Sequence, residues 1–283
     1  MIVLEGKIAV VTGGASGIGE MVVRTIAKLG GSVIVADIDE DRATAVANDI
    51  RNSGGKATAI VADIMVESQI KEMIEAAVET YGGIDILHNN AGVPRTIAPD
   101  CEISQLPTEW WDRTILAHLT STMLGCKYAL PHMIKRGGGS IVNTSSMAGA
   151  AATVTMPSYG VAKAGVNQIT REIAASYGRN NIRCNAVAPG PVITPRMKAT
   201  LSREMFTMYA AETSLPRVST PQDLANLVVF LCSDQGWMIT GQVIEISGGL
   251  SGKLPGWHGL MQGLRGDEFD AAVSTYEQVF GLV

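Results

Sequence analysis

The 283-residue chain reads as a doubly wound α/β fold, one parallel sheet with helices on both faces. Three observations predict it. Short β-branched runs alternate with longer stretches of helical period, the pattern of βαβ units. A glycine-rich turn, Thr12-Gly13-Gly14-Ala15-Ser16-Gly17-Ile18-Gly19, separates the first such run from the first helical stretch. No linker-like segment, internal repeat or low-complexity stretch divides the middle of the chain, and its length suffices for one large core.

The elements follow in order. Residues 8–11 are expected as strand one, then the glycine turn and a helix from about Ile18 to Leu29. Residues 32–36 make strand two, and the helix from Asp39 to about Ile50 ends at Ser53-Gly54-Gly55. Residues 56–61 are strand three, and the following helix ends near Gly82-Gly83. Residues 84–87 are strand four and close on Asn89-Asn90-Ala91-Gly92. A long helix over about 108–135 leads to strand five at 140–143, and a helix over about 158–179 leads to strand six at 182–187. Pro221 suits the first turn of a helix through Leu231, and 242–246 is the last strand. Residues 1–249 thus form the domain, and 250–283 extend it. Gly252, Pro255, Gly256, Gly259 and Gly263 predict a loop there, and Phe269, Val273, Tyr276 and Phe280 then share one face of a final helix. Right-handed crossovers in such a sheet put ligands at the carboxyl ends of the strands.

Composition narrows the function. The formal net charge is −5, which gives no electrostatic footprint for nucleic acid or an anionic membrane. Mean hydropathy is mildly positive, yet no apolar run approaches the ~20 residues of a spanning helix. Residues 1–7 lack the basic-then-apolar pattern of a signal peptide. Cys101, Cys126, Cys184 and Cys232 lie far apart, with no C-x-x-C pair and no nearby His, so they read as reduced thiols of a cytoplasmic protein with no metal site.

The glycine turn has the composition of a phosphate cradle. A pyrophosphate needs a tight bend, close backbone approach and close packing of helix on strand, and the helix N-terminus supplies free N–H groups and a positive dipole. Gly13, Ser16, Gly17, Ile18 and Gly19 are the candidates, although the spacing G-x-x-x-G-x-G also suits a plain connector. Asp37, eighteen positions after Gly19 at the end of strand two, weighs toward a dinucleotide. Its carboxylate accepts both ribose hydroxyls of the adenosine half and repels a 2′-phosphate. With no Arg or Lys in the turn and Ile38 rather than a basic residue next, the cofactor is expected to be NAD, not NADP. A helix-capping role for the acids at 37 and 39 is the plainer alternative.

Tyr159 and Lys163 lie four positions apart on a predicted helix, hence on one face. A phenol is a poor base at neutral pH, and a nearby ammonium favours the phenolate. By itself the pair suits any amphipathic helix. Asn143-Thr144-Ser145-Ser146 at a strand end, with Ser146 thirteen positions upstream of the tyrosine, gives it catalytic context.

Taken together, Thr12–Gly19, Asp37, Asp63-Ile64, Asn89–Gly92, Ser146, Tyr159 with Lys163, and Pro189-Gly190-Pro191-Val192-Ile193-Thr194 resemble the short-chain dehydrogenase/reductase family of TGxxxGxG and YxxxK type, over about residues 4–249. The resemblance implies a Rossmann-type fold and hydride transfer between NAD and a secondary alcohol or ketone. It makes Tyr159 the general acid/base, Ser146 the group that polarises the substrate oxygen, and Lys163 the ligand of the nicotinamide ribose that lowers the tyrosine's pKa. Asp63 and Ile64 would hold the adenine, and Asn90, Ala91 and Gly92 would approach the riboses. Pro189, Gly190, Val192 and Thr194 would fix the carboxamide. It also implies a homodimer or homotetramer paired through the two long helices. One position departs: His118 stands where the family carries an asparagine that holds a relay water, and it reads either as a substitute in that relay or as a buried structural histidine.

The segment 195–216 is expected to cover the substrate. Met197, Leu201, Met205, Phe206, Met208 and Tyr209, with Thr153, Val154 and Met156, suggest a bulky, apolar or cyclic alcohol or ketone. The spacing of 201, 205 and 208 fits a simple helix face equally well. Two other functions share the fold: a non-catalytic NAD-binding sensor or scaffold, and an NAD-retaining epimerase.

Overall fold

In a computed structural model, residues 2–94, 97–153 and 155–252, with Gly263, are described. The apolar runs form seven strands: β1 (Ile8–Thr12), β2 (Ser32–Asp37), β3 (Lys56–Val61), β4 (Ile86–Asn89), β5 (Gly139–Thr144), β6 (Ile182–Pro189) and β7 (Val243–Ile246). They make one parallel sheet in the order β3-β2-β1-β4-β5-β6-β7. Winding reverses between β1 and β4, and a crevice opens there at the carboxyl ends of the strands.

The strands alternate with α1 (Gly17–Lys28), α2 (Glu40–Asn52), α3 (Glu67–Tyr81), α4 (Thr108–Ile115), α5 (Ser121–Arg136), α6 (Pro157–Tyr177), α7 (Pro195–Thr200), α8 (Arg203–Glu212) and α9 (Pro221–Cys232). Strand residues of period two divide between two cores. Ala9, Val11, Val33 and Val35 pack with α1, α2 and α9 through Val22, Ile26, Val46 and Val228. Ile8, Val10, Ile34 and Ala36 pack on the other face with α3, α5 and α6 through Ile70, Met73, Met133 and Ile173. Both faces of the sheet are therefore covered, which is why β1 and β6 are buried along their whole lengths.

Two expectations are corrected. Strand four begins two residues later than the apolar run suggests and continues through His88 and Asn89. These polar residues tolerate burial because His88 Nε2 bonds Thr144 Oγ1 at 3.0 Å and Asn89 Nδ2 donates to Asn143 Oδ1 at 2.9 Å. The long helix is not continuous: a π-turn at Leu116–Thr120 separates α4 from α5. Ser121 Oγ donates to the Ala117 carbonyl (2.8 Å) and Thr122 Oγ1 to the His118 carbonyl (3.2 Å), binding carbonyls that the widened turn displaces. The covering segment contains two helices, α7 and α8. Pro195 at the first turn of α7 starts the first, and Ser202 caps the second by accepting from the Met205 N–H.

At the amino ends of the strands, Asp85 Oδ2 accepts from the Ile8 N–H at 2.8 Å, and Arg136 grips the same carboxylate through Nε (2.9 Å) and Nη2 (3.0 Å). The expected loop and final helix beyond 252 lie outside the described residues, as does Val154. Among the described residues no helix is long and apolar enough to cross a membrane.

Candidate active site

A cavity of about 660 Å³ opens at the carboxyl ends of β1, β4, β5 and β6. The glycine turn forms one wall. Gly13 has φ +67°, and a Cβ there would meet Asn90 Nδ2 at 3.0 Å and Ala91 Cα at 3.1 Å; at Gly19 it would lie 2.0 Å from the Gly13 carbonyl oxygen. Only glycine allows backbone this close. Ser16 is the N-cap residue of α1 but makes no side-chain capping bond, so the first-turn N–H groups are left for an anion. The Gly13, Ser16, Gly17 and Ile18 positions all line the cavity. An uncapped helix end beside a cradle that a Cβ would fill fits a pyrophosphate.

Asn90 and Ala91 are fixed to this wall by Thr12, whose Oγ1 accepts from the Asn90 N–H (3.0 Å) and the Ala91 N–H (2.9 Å). Asn90 Nδ2 donates to the Thr12 carbonyl at 3.0 Å. Asp37 stands at the end of β2, outside the cavity lining. Its Oδ2 accepts from the Ala15 N–H at 3.0 Å and its Oδ1 from the Asp39 N–H at 3.1 Å. Helix capping falls to Asp39, which accepts from the Arg42 N–H. Ile38 beside it is exposed. Asp63 Oδ1 accepts from the Met65 N–H at 2.8 Å, and Ile64 lines a separate, small pocket with Thr12 and Ala91. Gly19, Asp37, Ile38, Asp63 and Ile64 do not line the main cavity.

On the opposite wall, Ser146, Tyr159 and Lys163 come together. The Ser146 hydroxyl lies close enough to the Tyr159 phenol to favour its ionised form. Ser145 faces elsewhere: it is buried, donating to the Lys163 carbonyl (3.2 Å) and paired with Asn167 Oδ1 (2.5 Å). Lys163 is 4% exposed; its Nζ lies 5.7 Å from the centre of the tyrosine ring and donates to the Thr144 carbonyl at 2.7 Å. Burial lowers its pKa to about 8. For Tyr159 burial is the dominant influence and pushes the phenol up, while the nearby Ser146 hydroxyl and then the Arg196 charge pull it down.

His118, carried by the π-turn, is 6% exposed and meets Tyr159 edge to face with ring centres 5.1 Å apart. Its Nδ1 is buried without a hydrogen bond. Burial, then the charges of Lys163 and Arg196, lower its pKa to about 3, so the imidazole is neutral at physiological pH. Pro189, Gly190, Val192 and Thr194 close the cavity's far end. A Cβ on Gly17 would touch Thr194 Cγ2 at 3.2 Å, so the glycine turn and the start of α7 face each other closely.

The Enoyl-(Acyl carrier protein) reductase family of the short-chain type matches residues 13–251. A probable short-chain type dehydrogenase/reductase of Bradyrhizobium diazoefficiens is 43% identical over 251 residues, 89% of each chain. The chain belongs to the short-chain dehydrogenase/reductase family. Another family member, the 7alpha-hydroxysteroid dehydrogenase of Bacteroides fragilis, is 37% identical and matches 87% of this chain and 95% of its own. A solved 7α-hydroxysteroid dehydrogenase complexed with NADH and 7-oxo glycochenodeoxycholic acid superposes with a TM-score of 0.83 at 34% identity, covering 87% of this family member and 95% of that chain.

Within this member of the family, the substrate-side lining differs from the sequence expectation. Met156 and Met197 line the cavity, with Val93, Pro94 and Ala98 from the connection between β4 and α4. Met205 and Met208 are exposed, and Phe206 is buried in a small separate core with Val218. α8 packs through Phe206 and not through its methionines. Sequence reasoning missed Asp100 and Arg196, both of which line the cavity. Arg196 Nη1 donates to the Gly92 carbonyl at 3.2 Å across 104 positions of chain, a contact with no local signature.

Proposed function

We propose that the chain is an NAD(H)-dependent oxidoreductase that interconverts a secondary alcohol, bulky and apolar or cyclic, with its ketone. One observation carries the reading: Ser146, Tyr159 and buried Lys163 line the same cavity as an uncapped glycine turn. NAD supplies the carbon that accepts or gives the hydride. Gly13, Ser16, Gly17, Ile18 and Gly19 would hold its pyrophosphate, Asp37 and Ile38 the adenosine ribose, and Asp63 and Ile64 the adenine. Asn90, Ala91 and Gly92 would face the riboses, and Lys163 would bind the nicotinamide ribose hydroxyls. Pro189, Gly190, Val192 and Thr194 would orient the carboxamide. The complex of the related 7α-hydroxysteroid dehydrogenase with NADH and the carboxylate at 37 support this cofactor.

Ser146 polarises the substrate oxygen, and Tyr159 gives it a proton in reduction or takes one in oxidation. Both side chains are prepositioned, so the substrate meets an aligned pair of hydroxyls. The wall of Val93, Pro94, Ala98, Met156 and Met197 suits an apolar body. The decisive assay offers cyclohexanol, 1-phenylethanol and borneol, each with NAD⁺ and with NADP⁺, and follows reduced cofactor. Turnover with NAD⁺ is expected. NADH binding with no turnover of any alcohol or ketone would point to a sensor, and isomerisation without net NADH to an epimerase.

The raised phenol sets a sign for pH dependence. A protonated phenol serves reduction, whereas oxidation needs the phenolate, so the oxidation rate should rise with pH through neutrality while reduction stays level. Neutral His118 does not contribute to that limb. In His118→Asn the oxidation limb is expected to coincide with the parent's, with a few-fold lower rate from the lost ring contact. A limb displaced by more than about half a pH unit would put the imidazole in the proton path.

The assembly we propose is a homodimer or homotetramer through α4, α5 and α6. Exposed Met123 and Ile134 on α5 and Val161 on α6 support it; a native mass of one chain at micromolar concentration would remove it.

A further inference from the structure

We infer that Asp100 is a positioning residue for the acid/base tyrosine, a carboxylate that latches the substrate-side loop to the amide of Tyr159 itself. This rests on Tyr159 acting as the proposed acid/base. Asp100 lies in the connection between β4 and α4, is 5% exposed and lines the cavity. Its Oδ2 accepts from the Tyr159 N–H at 2.9 Å. Its Oδ1 accepts from the Ser158 hydroxyl at 3.1 Å and from the Cys101 N–H at 3.1 Å.

The start of α6 explains why a distant carboxylate is needed. Met156 occupies the N-cap position and has no side chain that can cap, and Pro157 has no N–H. The Gly160 N–H already bonds the Met156 carbonyl at 2.9 Å. The Tyr159 amide therefore lies in the first turn without an intrahelical acceptor, and Asp100 supplies one from 59 positions away. The backbone position at 159 sets where the phenol starts, and the phenol must meet Ser146 and a substrate oxygen together. The same loop contributes Val93, Pro94 and Ala98 to the substrate wall. One carboxylate thus fixes the distance between the wall that would hold the substrate's body and the helix that would deliver the proton. Buried charge in that place is tolerated because both oxygens are bonded and a helix N-terminus favours a negative group.

An ordinary helix cap would contribute stability alone, and three variants separate the two roles. All are assayed well below their unfolding temperatures, with the alcohol that the parent turns over best among cyclohexanol, 1-phenylethanol and borneol, alongside NADH affinity by fluorescence. Asp100→Ala is expected to bind NADH within about twofold of the parent and to lose about 30-fold or more in kcat, since displacements near 1 Å at a reacting group cost this order. Asp100→Asn should recover to within about fivefold, because its carbonyl can accept from the Tyr159 amide while its NH₂ donates to the Ser158 hydroxyl. Ser158→Ala, which removes one of the three bonds that hold the carboxylate, should fall between them and serves if Asp100→Ala does not fold. Parent kcat in Asp100→Ala or Ser158→Ala, with only a lowered unfolding temperature, overturns the inference. So does an Asp100→Asn enzyme that folds and binds NADH but is as slow as Asp100→Ala. A parent inactive on all three alcohols, or a Tyr159→Phe enzyme that keeps its turnover, would instead defeat the underlying reading.

Discussion

Tyr159→Phe is expected to bind NADH as the parent does and to lose about 10³-fold or more in kcat, within the range that positioned acid–base groups contribute. The change removes one oxygen and keeps the ring, so the edge-to-face contact with His118 and the placement of Lys163 over the ring persist. Ser146 still accepts from the Ala148 N–H at 3.1 Å. Little structural damage is therefore expected, and the loss isolates proton transfer from binding. Steady-state rates with the best alcohol of the panel, beside a fluorescence titration with NADH, make the comparison. A variant retaining more than about a tenth of parental kcat would count decisively against Tyr159 as the acid/base.

Asp37→Ser is expected to weaken NADH binding about 100-fold and to leave NADPH binding nearly unchanged, because relief of the repulsion on its 2′-phosphate offsets the lost bond to the 3′-hydroxyl. Asp37 already accepts from the Ala15 and Asp39 N–H groups. Each carboxylate oxygen has a second lone pair, so two ribose hydroxyls can still be accepted. Two charge-assisted bonds lost correspond to about 3 kcal/mol, which is about 100-fold in affinity. The 2′-phosphate of NADPH meets repulsion from Asp37 in the parent and none in the variant, so the preference between cofactors should collapse. Isothermal titration with both nucleotides reads this directly. An unchanged ratio of the two affinities would mean that Asp37 only braces the glycine turn.

Much of this fold is written in local pattern. The short, continuous apolar runs Ile8–Val11 and Ser32–Ala36 place the strands within a residue or two, and the crowding at Gly13 and Gly19 follows from glycines in the turn that joins a strand to a helix. Ser146 could be preferred to Ser145 from its spacing to the tyrosine, and the structure gives the reason: Ser145 is turned into the core toward Asn167. What escaped is non-local. Asp100 and Arg196 act through partners 59 and 104 positions away. The π-turn at Leu116–Thr120 has no compositional sign, since it arises from how the turn packs against α6. The methionines of α8 misled because Met205 and Met208 face solvent, while that helix packs through Phe206 against Val218.

Asp85 and Arg136 act at the pole of the sheet opposite the cavity. One carboxylate there joins the first strand, the approach to the fourth and the end of a helix, so cohesion is concentrated where no chemistry is proposed. Loops at the other pole can lengthen, shorten or change side chains without disturbing this anchorage. Such a division lets one scaffold diversify in what it accepts while its folding determinants stay untouched, and it locates the stretches most open to redesign at 97–107, Asp100 apart, and at 195–212.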